Sequence, residues 1–217
     1  MANTVSFVSL GCAKNQVNTE QMIYLLSEAG YEISPEADGV DLAVVNTCGF
    51  IDAAKSEAID TILSLAEKKA SGTIGKILVT GCLSQRYQEE VLREMPEVDG
   101  VLGTGSFGDI AEAAARVLAG ERVHLFGDIN APLTEPQRIL TTPQYYAYLH
   151  IAEGCDNRCA YCVIPSLRGR YRSRPMEELL GRPGGWPRAA SGSCSSSRRT
   201  RAGTASTSTA SGGWRRF

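Results

Sequence analysis

The chain has 217 residues, 43% hydrophobic and 21% charged, with a formal net charge of −2. This composition supports one medium core, or one domain with a fragment of another, and excludes a globally basic nucleic-acid binder as the first reading. The small net charge hides an asymmetry. Residues 181–217 hold seven Arg and no Asp, Glu or Lys, which leaves 15 Lys and Arg against 24 Asp and Glu in the first 180 residues. No apolar run approaches membrane-spanning length; Leu42–Val45 and Ile77–Val79 are typical. The N-terminus has neither a basic segment nor an adequate apolar stretch for a secretory signal. A cytoplasmic chain is expected, and its seven cysteines then point to metal or redox chemistry rather than to disulfides.

Between residues 4 and 127 two hydrophobic periods alternate. Short β-rich runs fall at Thr4–Leu10, Asp41–Thr47, Lys76–Thr80, Val98–Leu102 and Val123–Phe126. Between them Met22, Leu25, Leu26 and Ala29 recur at helical spacing, as do Phe107, Ile110, Ala111, Ala114 and Leu118. Ala54–Lys69 reads as a longer helix, and Ser84 as the cap of a helix carrying Val91, Leu92 and Met95. Strand and helix in alternation predict an α/β domain over 1–127, a doubly wound and mostly parallel sheet. Residues 128–144, with Pro132, Pro136 and Pro143, read as a linker. A strand at Tyr145–Ile151, a Cys-rich loop, a basic run Arg168–Arg174 and a helix from Met176 make up 145–180. Residues 181–217 contain no Val, Ile, Leu or Met and are expected to be disordered, because they cannot bury enough apolar surface to offset their ordering entropy.

Two cysteine groups carry the chemistry. Cys155, Cys159 and Cys162 stand in GCDNRCAYCVIP, directly after a predicted strand. Three thiolates so close in sequence suit a 4Fe–4S cube with one iron left open to a small molecule. Zinc, with His150 or Cys194 as a fourth ligand, and unligated thiols are the alternatives. Cys12, Cys48 and Cys82 each follow a predicted strand, in VSFVSLGC, DLAVVNTC and KILVTGC, flanked by Gly11, Gly49 and Gly81. In an open parallel sheet the carboxyl ends of the strands share one edge, where ligands bind. The three thiols can therefore meet there, or they are small buried core residues. His124 and His150 have no ligand-like spacing and read as structural.

The CxxxCxxC spacing resembles the signature of the radical S-adenosylmethionine superfamily. SLGCAKNQVNTE, NTCGFIDAAKSEAI and TGCLSQRY further resemble the N-terminal domain of its methylthiotransferases, and the likeness runs from residue 4 to 180. The resemblance implies two 4Fe–4S clusters, one on Cys155, Cys159 and Cys162, the other an auxiliary cluster on Cys12, Cys48 and Cys82. It implies that S-adenosylmethionine binds the open iron of the first cluster and is cleaved there to a deoxyadenosyl radical, with Tyr161 near the adenine. Tyr161 as a core tyrosine at a strand end is the competing expectation.

Lys14-Asn15, Cys48-Gly49-Phe50-Ile51 and Ala54-Lys55-Ser56-Glu57 look like the RimO-type branch, with Asn18-Thr19 a departure from its common Asp-Ser. That branch implies an aspartate of small-subunit ribosomal protein twelve as substrate and an electron donor as partner. A transfer-RNA adenosine methylthiotransferase is the rival, but the acidic body argues against direct nucleic-acid binding. A non-catalytic iron–sulfur or zinc-binding protein is the rival of another class. Arg168, Arg170, Arg172 and Arg174 are expected either to neutralise a cofactor carboxylate or contact substrate, or to line a solvated loop. The family would continue into the second strand of a (β/α) barrel near Leu180. Codons admissible for Gly192–Phe217, read one base upstream, spell a sequence resembling that continuation. The tail is therefore expected to be an out-of-frame end to an incomplete barrel, in a chain of impaired activity.

Overall fold

The computed structural model describes residues 2–133, 137–143, 145–180 and the backbone of Ser193–Ser196. Apolar β-rich runs and helical segments alternate from Thr4 onward. Strand β1 (Thr4–Ser9) leads into helix α1 (Ala13–Glu28), then β2 (Glu32–Ser34) and β3 (Leu42–Thr47). Helix α2 (Asp52–Ala70), β4 (Lys76–Gly81), α3 (Cys82–Tyr87), α4 (Glu89–Glu94) and β5 (Gly100–Leu102) follow. A 3-10 turn at Phe107–Asp109, helix α5 (Ile110–Leu118) and β6 (Val123–Leu125) complete the unit.

All six strands are parallel, in the order β2-β1-β3-β4-β5-β6. Strand alternation divides the core into two layers. Leu42 and Val44 of β3, with Val5, Leu78 and Val123, face Met22 and Leu26 of α1 and Ile110, Ala114 and Val117 of α5. Ala43 and Val45, with Ile77 and Val79, face Ala58, Ile62 and Leu65 of α2 and Val91 of α4. The doubly wound α/β expectation thus holds for the sheet. The order reverses between β1 and β3, where an open sheet forms a crevice at its carboxyl edge.

Two local expectations change. Ser84 does not cap a helix leading to Val91. It lies fully buried inside α3, which starts at Cys82, and Gln88 at φ 45° breaks the chain between α3 and α4. Short β2 carries too little apolar pattern to be recognised; it forms because Thr4–Ser6 of β1 offers it a parallel edge.

Residues 137–143 have no regular structure but are held along α1. Ile139 N–H donates to the Glu20 carbonyl at 3.2 Å, and Thr141 N–H to the Glu20 carboxylate at 3.0 Å. Glu20 is fully buried and also pairs with Arg138 at 3.4 Å. Beyond lie β7 (Tyr146–Leu149), β8 (Ala152–Glu153), α6 (Ile164–Arg168), β9 (Arg172–Ser173) and α7 (Met176–Leu180). β8 and β9 pair antiparallel.

β10 (Ser193–Ser196) pairs in parallel with β7, from Ser193 opposite Tyr146 to Ser196 opposite Leu149. Disorder expected throughout 181–217 is corrected at these four residues. Main-chain hydrogen bonds to an open strand edge need no apolar side chains. The rest of that tail, and the out-of-frame expectation that rests on it, lie outside the described residues.

Candidate functional site

The sheet's carboxyl edge gathers the first cysteine group. Cys12 has extended backbone, φ −107° and ψ 173°, in the N-cap position of α1, and its side chain makes no capping bond. Cys48 directly follows β3, and Cys82 opens α3. All three line one cavity, together with Lys14, Phe50, Gly154, Leu167 and Arg168. Cys82 is buried, Cys48 half-buried and Cys12 exposed.

Glycine lets these loops approach. A Cβ on Gly11, at φ 97°, would stand 2.7 Å from the Cys48 Cβ. One on Gly49 would stand 2.8 Å from the Cys82 carbonyl oxygen. Gly81, at φ 99°, has no room for a side chain beside Thr47, whose nitrogen would lie 2.8 Å away.

Asn15 ties the loops together. Its Nδ2 donates to the carbonyls of Leu10 at 2.8 Å and Thr47 at 2.9 Å. Its Oδ1 accepts from Arg168 at 2.6 Å and faces the Cys82 thiol at 4.0 Å. Asn46 Nδ2 donates to the Asn15 carbonyl at 2.9 Å, and Thr47 Oγ1 to the Thr80 carbonyl at 2.6 Å. Neither Asn15 nor Asn46 carries a sequence signal of this role. Asn15 is marked only by the Lys14-Asn15 motif, and Asn46 only by its place two residues before Cys48.

The second group lies in the loop between β8 and α6. Cys155 and Cys162 are half-buried and Cys159 is exposed. The loop is pinned at its start, where Cys155 N–H donates to the Gly169 carbonyl at 3.1 Å, and it turns on itself where Cys162 N–H donates to the Cys159 carbonyl at 3.0 Å. Asp156 Oδ1 accepts from Tyr171 N–H at 3.1 Å. Tyr161 is 89% exposed, so the core-tyrosine expectation is set aside: the turn from Ala160 carries the ring outward. Among the described residues, no three His, Cys, Asp or Glu side chains are gathered tightly enough to hold a single metal ion. The thiolates of a cube attach to different irons and stand farther apart than those around one zinc.

The two groups are joined by a buried polar knot. Lys14 Nζ donates to the Ala152 carbonyl at 2.7 Å and pairs with Glu153 Oε1 at 3.1 Å. Glu153 Oε2 stands 3.2 Å from His150 Nε2 and 3.5 Å from Arg168 Nη1. Arg168 Nη1 also donates to Asn18 Oδ1 at 2.7 Å. Burial alone would raise the Glu153 carboxyl, but Arg168, His150 and Lys14 outweigh it and hold it well below the usual carboxylate range. Burial alone would lower the Arg168 guanidinium, but Cys82, Glu153 and Cys12 hold it above its ordinary value. Burial lowers the Lys14 ammonium against the pull of Glu153.

The solvated-loop expectation for the basic run is therefore corrected for Arg168 and Arg174, which are 6% and 7% exposed. They turn inward because carboxylate, amide and carbonyl acceptors wait there; Arg174 donates to the His150 carbonyl at 3.2 Å. His150 is buried against Glu153, as expected of a structural residue, and His124 lies 3.6 Å from Glu89 at the surface.

The donor set at the first cavity fits a 4Fe–4S cube with one open iron. It offers three thiols on loops that glycines let close against one another, and a buried guanidinium beside a group that would carry net negative charge.

Comparison with known proteins adds the lineage. The model of the family described as "Uncharacterized protein family UPF0004" matches residues 4–103. A protein of Symbiobacterium thermophilum named ribosomal protein uS12 methylthiotransferase RimO is 51% identical over 178 residues, 81% of this chain and 36% of that protein. Proteins of the same name from Pelotomaculum thermopropionicum and Geobacter sulfurreducens are 50% and 51% identical, over 83% and 81% of this chain and 41% and 40% of their own lengths. The chain thus spans about two fifths of the curated relatives it matches. Among solved structures, the radical S-adenosylmethionine methyltransferase TsrM from Kitasatospora setae, with cobalamin and a 4Fe–4S cluster bound, is similar in fold. Its TM-score is 0.51 at 10% identity, over 83% of this chain and 45% of that one. Among the described residues no helix is long and apolar enough to cross a membrane. Half of its residues, shared along four fifths of its length, make this chain a relative of the proteins named ribosomal protein uS12 methylthiotransferase RimO, of which it spans about two fifths.

Proposed function

We propose that the chain acts as an iron–sulfur methylthiotransferase, adding a methylthio group to the β-carbon of an aspartate in ribosomal protein uS12. The observation that carries this reading is the meeting of Cys12, Cys48 and Cys82 in one cavity, with the loop of Cys155, Cys159 and Cys162 fastened beside it through Glu153 and Arg168. Cys12, Cys48 and Cys82 hold one 4Fe–4S cluster and Cys155, Cys159 and Cys162 the other. With S-adenosylmethionine, the clusters supply radical and sulfur chemistry.

The protein's own residues do the rest. Residues 1–127 form the domain of the first cysteine group, and 128–144 link it to the start of the radical domain at 145–180. There β7 is the first strand of an incomplete barrel. Exposed Tyr161 is the side chain available to lie against an adenine. Lys14, Glu153 and Arg168 keep the two groups in register. An electron donor is required, and the reaction belongs in the reducing cytoplasm.

Iron and sulfide analysis of the anaerobically reconstituted chain tests the ligands. Two cubes are expected, with about half the iron lost in the Cys12→Ala, Cys48→Ala, Cys82→Ala triple variant and the remainder retained. Unchanged iron in that variant, or zinc in place of iron, would remove the auxiliary site. Expression in a host lacking its own enzyme tests the substrate by mass spectrometry. Methylthio on uS12 peptide is expected, at a yield lowered by the incomplete barrel. Methylthio on transfer-RNA adenosine would move the chain to the rival branch, and neither product from a chain loaded with both clusters would make it a non-catalytic iron–sulfur protein.

A further inference from the structure

We propose that Arg168, from the loop after Cys162, is the positioning and charge-balancing residue of the group held by Cys12, Cys48 and Cys82, rather than a contact of the cysteines in its own loop. The inference rests on the cluster reading above. It follows from where the guanidinium goes. Arg168 belongs by sequence to the second cysteine group, yet it lines the cavity of the first and is 6% exposed.

Its aim is fixed by two amides of α1. Nη2 donates to Asn15 Oδ1 at 2.6 Å and Nη1 to Asn18 Oδ1 at 2.7 Å. Asn15 cannot turn away, because its Nδ2 is engaged by the Leu10 and Thr47 carbonyls, one next to Gly11 and the other next to Cys48. The oxygen that receives Arg168 is also the oxygen that faces Cys82. The planar fork holds both fixed acceptors at once, and the charge it brings is the part that acts on the cavity.

The charge has few other partners. Glu153 is shared with Lys14 and His150 and lies 3.5 Å from Arg168, farther than either amide. A buried, permanently charged guanidinium asks for nearby anions, and three thiolates with their cube supply them. A cation beside a cluster stabilises its reduced, more negative form, so Arg168 raises the midpoint potential. The same residue couples the two groups mechanically. Gly169, which follows it at φ 71°, accepts from the Cys155 N–H at 3.1 Å, so moving the second cysteine loop moves the cation at the first.

The test uses the full chain carrying Cys155→Ala, Cys159→Ala and Cys162→Ala, loaded anaerobically, with iron analysis and a redox titration followed by electron paramagnetic resonance. Arg168→Gln should lower the reduced-to-oxidised ratio at fixed potential roughly tenfold or more, equal to a shift of about 59 mV for one electron. Arg168→Lys should keep the parent potential, since it keeps the charge. An unchanged potential in iron-loaded Arg168→Gln overturns the proposal. If Arg168→Gln cannot be loaded, Arg168→Lys decides: parent iron and potential uphold it, while loss of either in a folded chain overturns it. A parent that binds no iron removes the cluster reading itself, a result separable from the others.

Discussion

Asn15 shows how much a single side chain decides at this site. One amide spans two strand-end loops and presents its oxygen to both Cys82 and Arg168. Lys14 and Asn15 were legible only as a motif, because nothing in residue type or spacing says that an amide on the first turn of α1 will face inward. The glycines are more legible, since each flanks a cysteine, but their cause is steric and needs coordinates. Gly81 makes the point testable. At φ 99°, with its absent Cβ directed at Thr47, it admits no other residue without strain. Gly81→Ala should cost about 1–3 kcal/mol of stability and displace Cys82. A urea titration, with thiol accessibility of Cys82 as a second readout, checks this, and an unaltered midpoint would contradict it.

At the scale of elements, periodicity located the main strands and helices because each has one face or both faces in a core. β3 reads as a continuous apolar run, since Leu42–Val45 alternate between two helical layers and are all fully buried. Leu78 of β4 sits fully buried among Val5, Leu26, Leu102 and Val117. Leu78→Ala should lower unfolding stability by about 2–5 kcal/mol, read from the urea midpoint, with little change in slope. A loss well below that range would mean the layer repacks around the gap. What periodicity did not resolve is instructive. The break at Gln88 and the start of α3 at Cys82 come from the chain turning at the sheet edge, where backbone geometry outweighs hydrophobic spacing. Buried polar positions on α1, among them Asn18, Thr19, Glu20 and Gln21, look solvent-facing in sequence. Glu20 is covered by residues 137–143 and Asn18 by Arg168, while Thr19 turns to the sheet edge, bonding Ser9 and Asn46.

Among the described residues, Lys14, Glu153, Arg168 and Asn18 form a buried polar seam between the sheet domain and the segment that carries the second cysteine group. Removing one charge from such a seam strands the others in a dry place. Glu153→Gln leaves Lys14 and Arg168 without their carboxylate and should weaken docking of the segment around 137–174 by about 3–5 kcal/mol. Limited proteolysis or amide hydrogen exchange should show that segment opening while β3 and β4 stay protected; equal protection in both would refute it. By itself the sequence determined the alternation of strands and helices, the parallel doubly wound sheet, and the two cysteine groups with their strand-end positions. Those are properties of local period and spacing, and local period follows from backbone geometry. Only the tertiary structure decided that α1 is buried on its polar side, that Arg168 lines the cavity of the distant Cys12, Cys48 and Cys82, and that Glu153 pairs with both Lys14 and Arg168. Those contacts link residues more than a hundred positions apart, and which buried charge meets which acceptor is set by packing, not by order along the chain.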